Sequence, residues 1–303
     1  MMKSCVSDIK TLYHKLWWQW QLCKSASARR RMKREILKDL AVITRTPEED
    51  EVYSFLQKES LKVFPYPFVH LYNPSNVKVN MDETNGLKFV WHKGKRLYFQ
   101  RGWGNDRIKR AYSMLCCEQH PNSPHCYTDS AFFVSPGSII ADVGSAEGIF
   151  ALEHIETCRH VYLFETDKGW TEALNATFAV WKDKVTIVNR FVSDKNSGDN
   201  VTLDSYFAER DVNFIKADVE GAERFLLSGA CEVMKRPQLR RIAITAYHRP
   251  DDGSVLWRRL EDAGFVPRYT HGFMVFGGLH KPERPYLRRG VILAEKIETS
   301  IKI

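Results

Sequence analysis

Three short stretches of the chain carry side chains that could do chemistry together. The first is Asp142-Val143-Gly144-Ser145-Ala146-Glu147-Gly148, which leaves the apolar run SIIA. A glycine after a strand permits a tight turn, and amides exposed at the next helix start can meet a ligand. The spacing is G-x-x-x-G, so the glycine that lets backbone approach a pyrophosphate in G-x-G-x-x-G is missing. The second is Glu165, which ends VYLFE 23 residues beyond Asp142. An acid about twenty residues past a glycine turn can accept both hydroxyls of a ribose. Together the two features predict a nucleoside-containing cofactor. The third is Ile215 to Glu223, IKADVEGAE, with Asp218, Glu220 and Glu223 at a strand end. Carboxylates there suit a cationic sulfonium, a shared metal ion or a general base. They also suit a helix start, where the dipole favours acids.

His248 follows the apolar run RIAITAY and joins Asp218 and Glu220 as a candidate proton acceptor. Histidine is suited to proton transfer near neutral pH. A structural hydrogen bond on a loop would explain it equally. Cys116, Cys117, His120, His125 and Cys126 are close in sequence, but prolines interrupt them and no standard zinc spacing fits. No zinc is expected. The paired acids Asp218 and Glu220 are the natural place for a divalent ion, though methyl transfer from a sulfonium needs no metal, so the metal-free version is favoured.

These groups must be held by an alternation of strands and helices that begins near Ser135. SIIADVG, VYLFETD, VTIVNRF, VNFIKADVE and RIAITAYH read as apolar strands. GIFALEHI, WTEALNATFAV and GAERFLLSGA read as helices between them, and KNSGDNVTLDSYFAERD as a loop-rich link. This rhythm predicts an α/β domain over residues 126–303, a mostly parallel sheet with helices on both faces. Residues 1–64 read as helices. Val6, Ile9, Tyr13, Leu16, Trp17 and Trp20 share one helical face, and Met32, Leu37, Leu40 and Ile43 suggest a second helix. A third opens at Thr46-Pro47-Glu48-Glu49, a capping-box pattern. Residues 65–125 read as a small β meander, VKVNM, LKFVWH and RLYFQ, then a helix from Asp106 to about Cys117.

The motifs DVGSAEG, FETD, TLDSYF, IKADVEGAE and AITAYH, in that order, resemble the FkbM family of S-adenosylmethionine-dependent methyltransferases. The resemblance runs from about Glu118 to about Lys296, and EQHPNSPHCY and YLRRGVILAEK look like a bacterial subgroup. Ser145 and Ala146 stand where many members have Ala-Asn, and Ala217 where many have Ile or Met. The resemblance implies a class I methyltransferase, Rossmann-like fold that binds S-adenosylmethionine. It implies that Asp142, Gly144, Ser145, Glu147 and Gly148 line the methionine part and that Glu165 holds the ribose. Asp218 would sit beside the transferring methyl. Glu118, His125, Tyr127 and Tyr247 would cover the cofactor or meet substrate. Members mostly methylate oxygen, often on sugars or glycan-derived products.

The 303 residues are 44% hydrophobic and 27% charged, ordinary for a globular protein. The seven cysteines have no framework spacing, and MMKSCVSDIK has no secretory pattern, so a cytoplasmic setting is expected. Net charge is +8, densest at Lys24 to Arg34. With Trp17, Trp18 and Trp20 beside it, that run fits contact with an anionic membrane surface. Packing of the same face on the domain or in a homodimer is favoured, because apolar helical stripes are usually core. A small-molecule or glycan acceptor is expected. Two readings from other classes stay open: a nucleic-acid methyltransferase, supported by charge but lacking an Asn-Pro-Pro-Tyr-like motif, and a non-catalytic binding protein on the same fold.

Overall fold

The structure, a computed structural model, describes residues 26–276 and 284–297. The expected helix over Val6 to Trp20, with Trp17 and Trp18, lies outside the described residues, as does Lys24. Helix α1, Ala26–Ala41, buries Met32, Ile36 and Leu40, one residue per turn, and leaves Arg29, Arg30, Arg31 and Arg34 outward. Helix α2, Pro47–Lys58, starts at Thr46, whose side chain accepts from the Glu49 amide while Glu49 accepts from the Thr46 amide. The expected capping box is therefore formed, and it fixes the helix start. Both helices pack through Phe64, Tyr66 and Phe68 onto Tyr247 and Phe276 of the α/β region.

Three antiparallel strands follow, Asn80–Met81, Lys88–His92 and Lys95–Tyr98. Lys93 and Gly94 both have positive φ, 47° and 79°, the primed turn that matches strand twist. Helix α3, Asn105–Glu118, leads to the main sheet. Its strands are β1 Ile139–Val143, β2 His160–Phe164, β3 Val185–Val188, β4 Phe214–Ala217, β5 Arg241–Thr245, β6 Val266–Tyr269 and β7 Val291–Glu295. The spatial order is β6-β7-β5-β4-β1-β2-β3. Pairing is parallel throughout except for β7, which runs antiparallel to β5 and β6. The expected mostly parallel, Rossmann-like sheet is found. Helices α4, Ile149–His154, and α5, Lys168–Thr177, cross over between β1, β2 and β3. The helix Asp252–Asp262 and the strands β6 and β7 add to the elements expected from the sequence.

The chain leaves β1 toward β2 and β3, then returns to place β4 and β5 on the other side of β1. Order reverses between β1 and β4, and open α/β sheets bind ligands beyond the strand ends at that point. Packing is continuous across the boundary expected near residue 126. Leu87, Phe89, Val90, Leu97 and Phe99 of the meander share one core with Ile140, Phe150, Leu163 and Phe214. No helix among the described residues is long and apolar enough to cross a membrane.

Candidate active site

A cleft opens at the reversal point, over the ends of β1 and β4. It encloses about 1130 Å³, open mouth included. Three segments make its floor: the loop after β1, the turn after β4, and Lys216 on β4 itself. The loop's shape follows from its glycines. Gly144 has φ 74°, and a Cβ there would lie 1.8 Å from the Asp218 carbonyl oxygen. Only glycine lets the two backbones cross this closely. Gly148 has φ 79°, and its Cβ would meet Leu174 Cδ2 at 2.7 Å. Gly148 therefore sets helix packing against α5 and is not part of the cleft wall. Ser145 donates to the Asp142 carbonyl at 2.7 Å and pins the turn.

Asp142 and Lys216 stand opposite each other in the parallel register of β1 and β4. Lys216 Nζ is 3.0 Å from Asp142 Oδ1 and donates to the Gly144 carbonyl at 2.7 Å. Both side chains are buried, at 6% and 1% exposure. Burial outweighs the lysine's charge at Asp142 and raises its carboxyl, while at Lys216 the charges of Asp142 and Asp218 outweigh burial and raise the ammonium. Motif spacing alone gives Lys216 no role, yet it is the one charged side chain in an otherwise apolar, fully buried strand.

Asp218 is the hub. It accepts from the Tyr127 hydroxyl at 2.7 Å, and His125 Nε2 is 3.5 Å away. His125 Nε2 also lies 3.1 Å from the Tyr247 hydroxyl. Burial raises the Asp218 carboxyl, but the hydrogen bond and charge of His125, then His248 and Lys216, hold it well below the usual carboxylate range. Of the candidate site residues, Asp142, Gly144, Ser145, Glu147, Asp218, Glu220, His125, Tyr127 and Tyr247 all border the cleft.

Three of the expected site residues, Gly148, Glu165 and His248, do not border the cleft. Glu165 does not reach the cleft wall. Its Oε2 accepts from the Ala146 amide at 3.0 Å and its Oε1 from the Asp167 amide at 2.7 Å. The carboxyl braces the glycine loop from below, at 4% exposure, and burial pushes it up to about 7. Asp167, two residues on, faces the cleft instead. His248 also lies behind the wall. Its Nδ1 is 3.0 Å from Glu223 Oε1 and its Nε2 is 3.4 Å from Glu220 Oε2. Burial lowers its pKa, but the charges of Glu223 and Glu220 outweigh that and raise it well above the ordinary value. Its ring is enclosed by these carboxylates and does not line the cleft.

The opposite wall comes from the end of the meander, α3 and the start of α5, of which only Glu118 is indicated by the family resemblance. Phe99, Trp103 and Trp170 form an aromatic face, with the two tryptophan rings 5.1 Å apart and Arg107 3.7 Å over Trp103. Arg107, Ala111, Leu115 and Glu118 lie at helical spacing along α3 and present one stripe to the cleft. Burial pushes the Glu118 carboxyl up to about 7, and Glu147 up to about 8. Of the cysteine and histidine segment, His125 faces the cleft, whereas His120 stacks on Phe68 at 4.5 Å and Cys126 Sγ contacts the Thr128 carbonyl.

Comparison with known proteins follows this geometry. The model of the methyltransferase FkbM domain matches residues 92–267, more than half of the chain. Among curated proteins, none matches the chain. A solved methyltransferase FkbM from Methylobacillus flagellatus is 18% identical over 63% of this chain and 54% of its own, with TM-score 0.46. The chain thus spans about half the length of that protein. A putative tRNA (m1A22) methyltransferase from Streptococcus pneumoniae, solved with S-adenosyl-L-methionine, is 18% identical over 56% and 72% of the two chains, TM-score 0.34. A precorrin-6y C5,15-methyltransferase from Geobacter metallireducens is 14% identical over 55% and 85%, TM-score 0.37.

Proposed function

The chain belongs to the methyltransferase FkbM domain family, and on that premise we propose that it transfers a methyl group from S-adenosylmethionine to a hydroxyl oxygen of a sugar or glycan-derived acceptor. The observation that carries this reading is the convergence of Gly144, Asp142 and Asp218 on one cleft at the sheet's reversal point. The donor set fits the cofactor. Asp218 is held toward its charged form by its neighbours, and a cationic sulfonium and ammonium are stabilised beside a carboxylate. The Gly144 crossing leaves a smooth cradle that a Cβ would fill. When bound, the cofactor supplies an electrophilic methyl whose transfer releases a neutral thioether.

The chain's own residues then have two tasks, alignment and proton removal. Tyr127 and His125 hold Asp218 in one orientation. The aromatic face of Trp103 and Trp170 excludes water and offers flat surface to a ring. Glu118, raised to about 7, is matched to accepting a hydroxyl proton near neutral pH. Asp218, held low by its neighbours, is suited to work as a charge. Glu220 also borders the cleft. His248 supports from behind. The acceptor class comes from the family resemblance, and the aromatic wall supports a ring-bearing acceptor.

The test is incubation of the purified chain with methyl-labelled cofactor and cell-envelope glycan extract. Label should appear on glycan oxygen and vanish in Asp218→Asn, which should keep its wild-type circular dichroism. Label in nucleic acid instead would replace the acceptor class. Cofactor binding with no labelled product from any extract would favour a binding protein. Near-normal transfer by Asp218→Asn would overturn the site assignment.

A further inference from the structure

Six carboxyl groups border the cleft: Glu118, Asp142, Glu147, Asp167, Asp218 and Glu220. Four of them already face partners. Lys216 pairs with Asp142, Tyr127 donates to Asp218, and the Gln100 side chain and the Trp170 amide both donate to Asp167. Glu220 Oε2 lies 3.4 Å from His248 Nε2. Glu118 and Glu147 are left over. Among the described residues, neither makes a hydrogen bond or ion pair with another residue, and the Glu147 carboxyl meets only its own amide. Glu147 is 7% exposed on the loop after β1. Glu118 ends α3, half-buried, on the facing wall, close enough for its charge to act on Glu147.

The cations at hand are engaged elsewhere. Lys216 Nζ is shared between Asp142 and the Gly144 carbonyl, and the Arg107 guanidinium lies over Trp103. His125 acts on Glu118 but sits 3.5 Å from Asp218. The phenols of Tyr127 and Tyr247 and the thiols of Cys116 and Cys117 complete the surroundings. Burial pushes all four up, so they stay neutral and offset nothing.

We propose that Glu118 and Glu147 are the pair by which the cleft recognises positive charge: binding of the sulfonium cofactor displaces a proton from them to solvent, and the cation is preferred to its neutral thioether product. The identity of the ligand rests on the methyl-transfer reading. A carboxyl buried without a counter-charge favours its protonated form, and an opposite charge brought beside it favours the ionised one. Burial, against the pull of His125 and Lys216, pushes Glu118 up to about 7 and Glu147 up to about 8. Near neutral pH the pair therefore holds about one proton. Binding breaks one carboxyl O–H bond, gives the proton to the buffer and leaves a carboxylate to face the sulfonium. It also readies Glu118 to accept the acceptor's hydroxyl proton. A protonated carboxyl then faces a neutral thioether, and the charge of the cleft is the same before and after transfer.

The test is isothermal titration calorimetry of the full chain with S-adenosylmethionine at pH 7, in several buffers of different ionisation enthalpy, which counts the protons released. About half a proton or more per cofactor is expected, and affinity should tighten about tenfold or more from pH 5.5 to pH 7.5. S-adenosylhomocysteine, which lacks the sulfonium, should release fewer protons and bind several-fold more weakly at pH 7.5. The single variants Glu118→Gln and Glu147→Gln should each lower the proton count. The double variant should release none, lose the pH dependence and bind the two ligands with closer affinities, and a thermal melt checks that it folds. Glu261→Gln, an exposed acid outside the cleft, should behave as wild type. Cofactor binding with no proton release, or wild-type release by the folded double variant, overturns the proposal and leaves methyl transfer standing. So does S-adenosylhomocysteine binding as tightly as the cofactor at pH 7.5. No saturable cofactor binding up to about 1 mM, the upper end of ordinary substrate affinities, would instead remove the proposed function, and the role of the pair with it.

Discussion

Replacing Lys216 with methionine should reveal how strongly the cleft floor depends on one buried cation. Methionine keeps the length of the stem and removes the charge. Asp142, at 1% side-chain exposure, then loses the ammonium 3.0 Å away. Removing one partner of a buried ion pair costs about 3–5 kcal/mol, because the other charge is left uncompensated. For a domain of this size that is a fall in Tm of roughly 10 °C. The Gly144 carbonyl also loses its 2.7 Å donor, so cofactor binding should weaken along with stability. The loss has a definite pH dependence. Asp142 already sits above its ordinary value through burial, and without Lys216 it rises further. A carboxyl raised on folding binds more protons in the folded state, so stability falls as pH rises from the unfolded value toward the folded one. The deficit of Lys216→Met should therefore be smaller at pH 5 than at pH 8. Adding Asp142→Asn should restore much of the stability, since the buried charge is then gone. Denaturant melts of the four proteins form a double-mutant cycle. A single variant within about 1 kcal/mol of wild type, or a double variant no better than the single, would refute the reasoning.

Gly144→Ala should lower both stability and cofactor affinity. The left-handed φ costs about 1–2 kcal/mol, the new Cβ displaces the Asp218 carbonyl, and calorimetry with S-adenosylmethionine showing wild-type affinity would contradict this. Glu165→Ala frees the Ala146 and Asp167 amides, and affinity should drop by about 1.5–3 kcal/mol, whether the carboxylate meets the ribose or only braces the loop; unchanged binding would remove Glu165 from the site altogether. Glu147 is raised to about 8 by burial, so it takes stability away as pH climbs from about 4.3 toward that value. The Tm advantage of Glu147→Gln over wild type should widen between pH 5 and pH 8, and a constant difference would show that the carboxyl is not shifted.

The sequence determined the local order of the elements. Alternating apolar runs and helical segments announced the parallel sheet, because strands buried on both faces are apolar almost throughout, as β1 and β4 are. Thr46-Pro47-Glu48-Glu49 announced the start of α2, because a capping box is satisfied within four residues. Gly144 and Asp218 could be named as site residues because each ends a strand, and strand ends face ligands in this architecture. The strands β6 and β7 were less legible: they pair antiparallel at the sheet edge, and nothing local states which neighbour they will meet. Tertiary structure alone decided the rest. That Lys216 meets Asp142 depends on the register between two strands more than seventy residues apart. That Glu165 turns under the loop while Asp167 faces the cleft depends on which amides lie free above the strand tip. His248 read as a base because an isolated histidine titrates near neutrality. It became a buried, charge-paired group because the fold surrounds it with carboxylates from the turn after β4 and the helix that follows. The protonation state of a side chain is set by its neighbours in space, and those neighbours are chosen by topology.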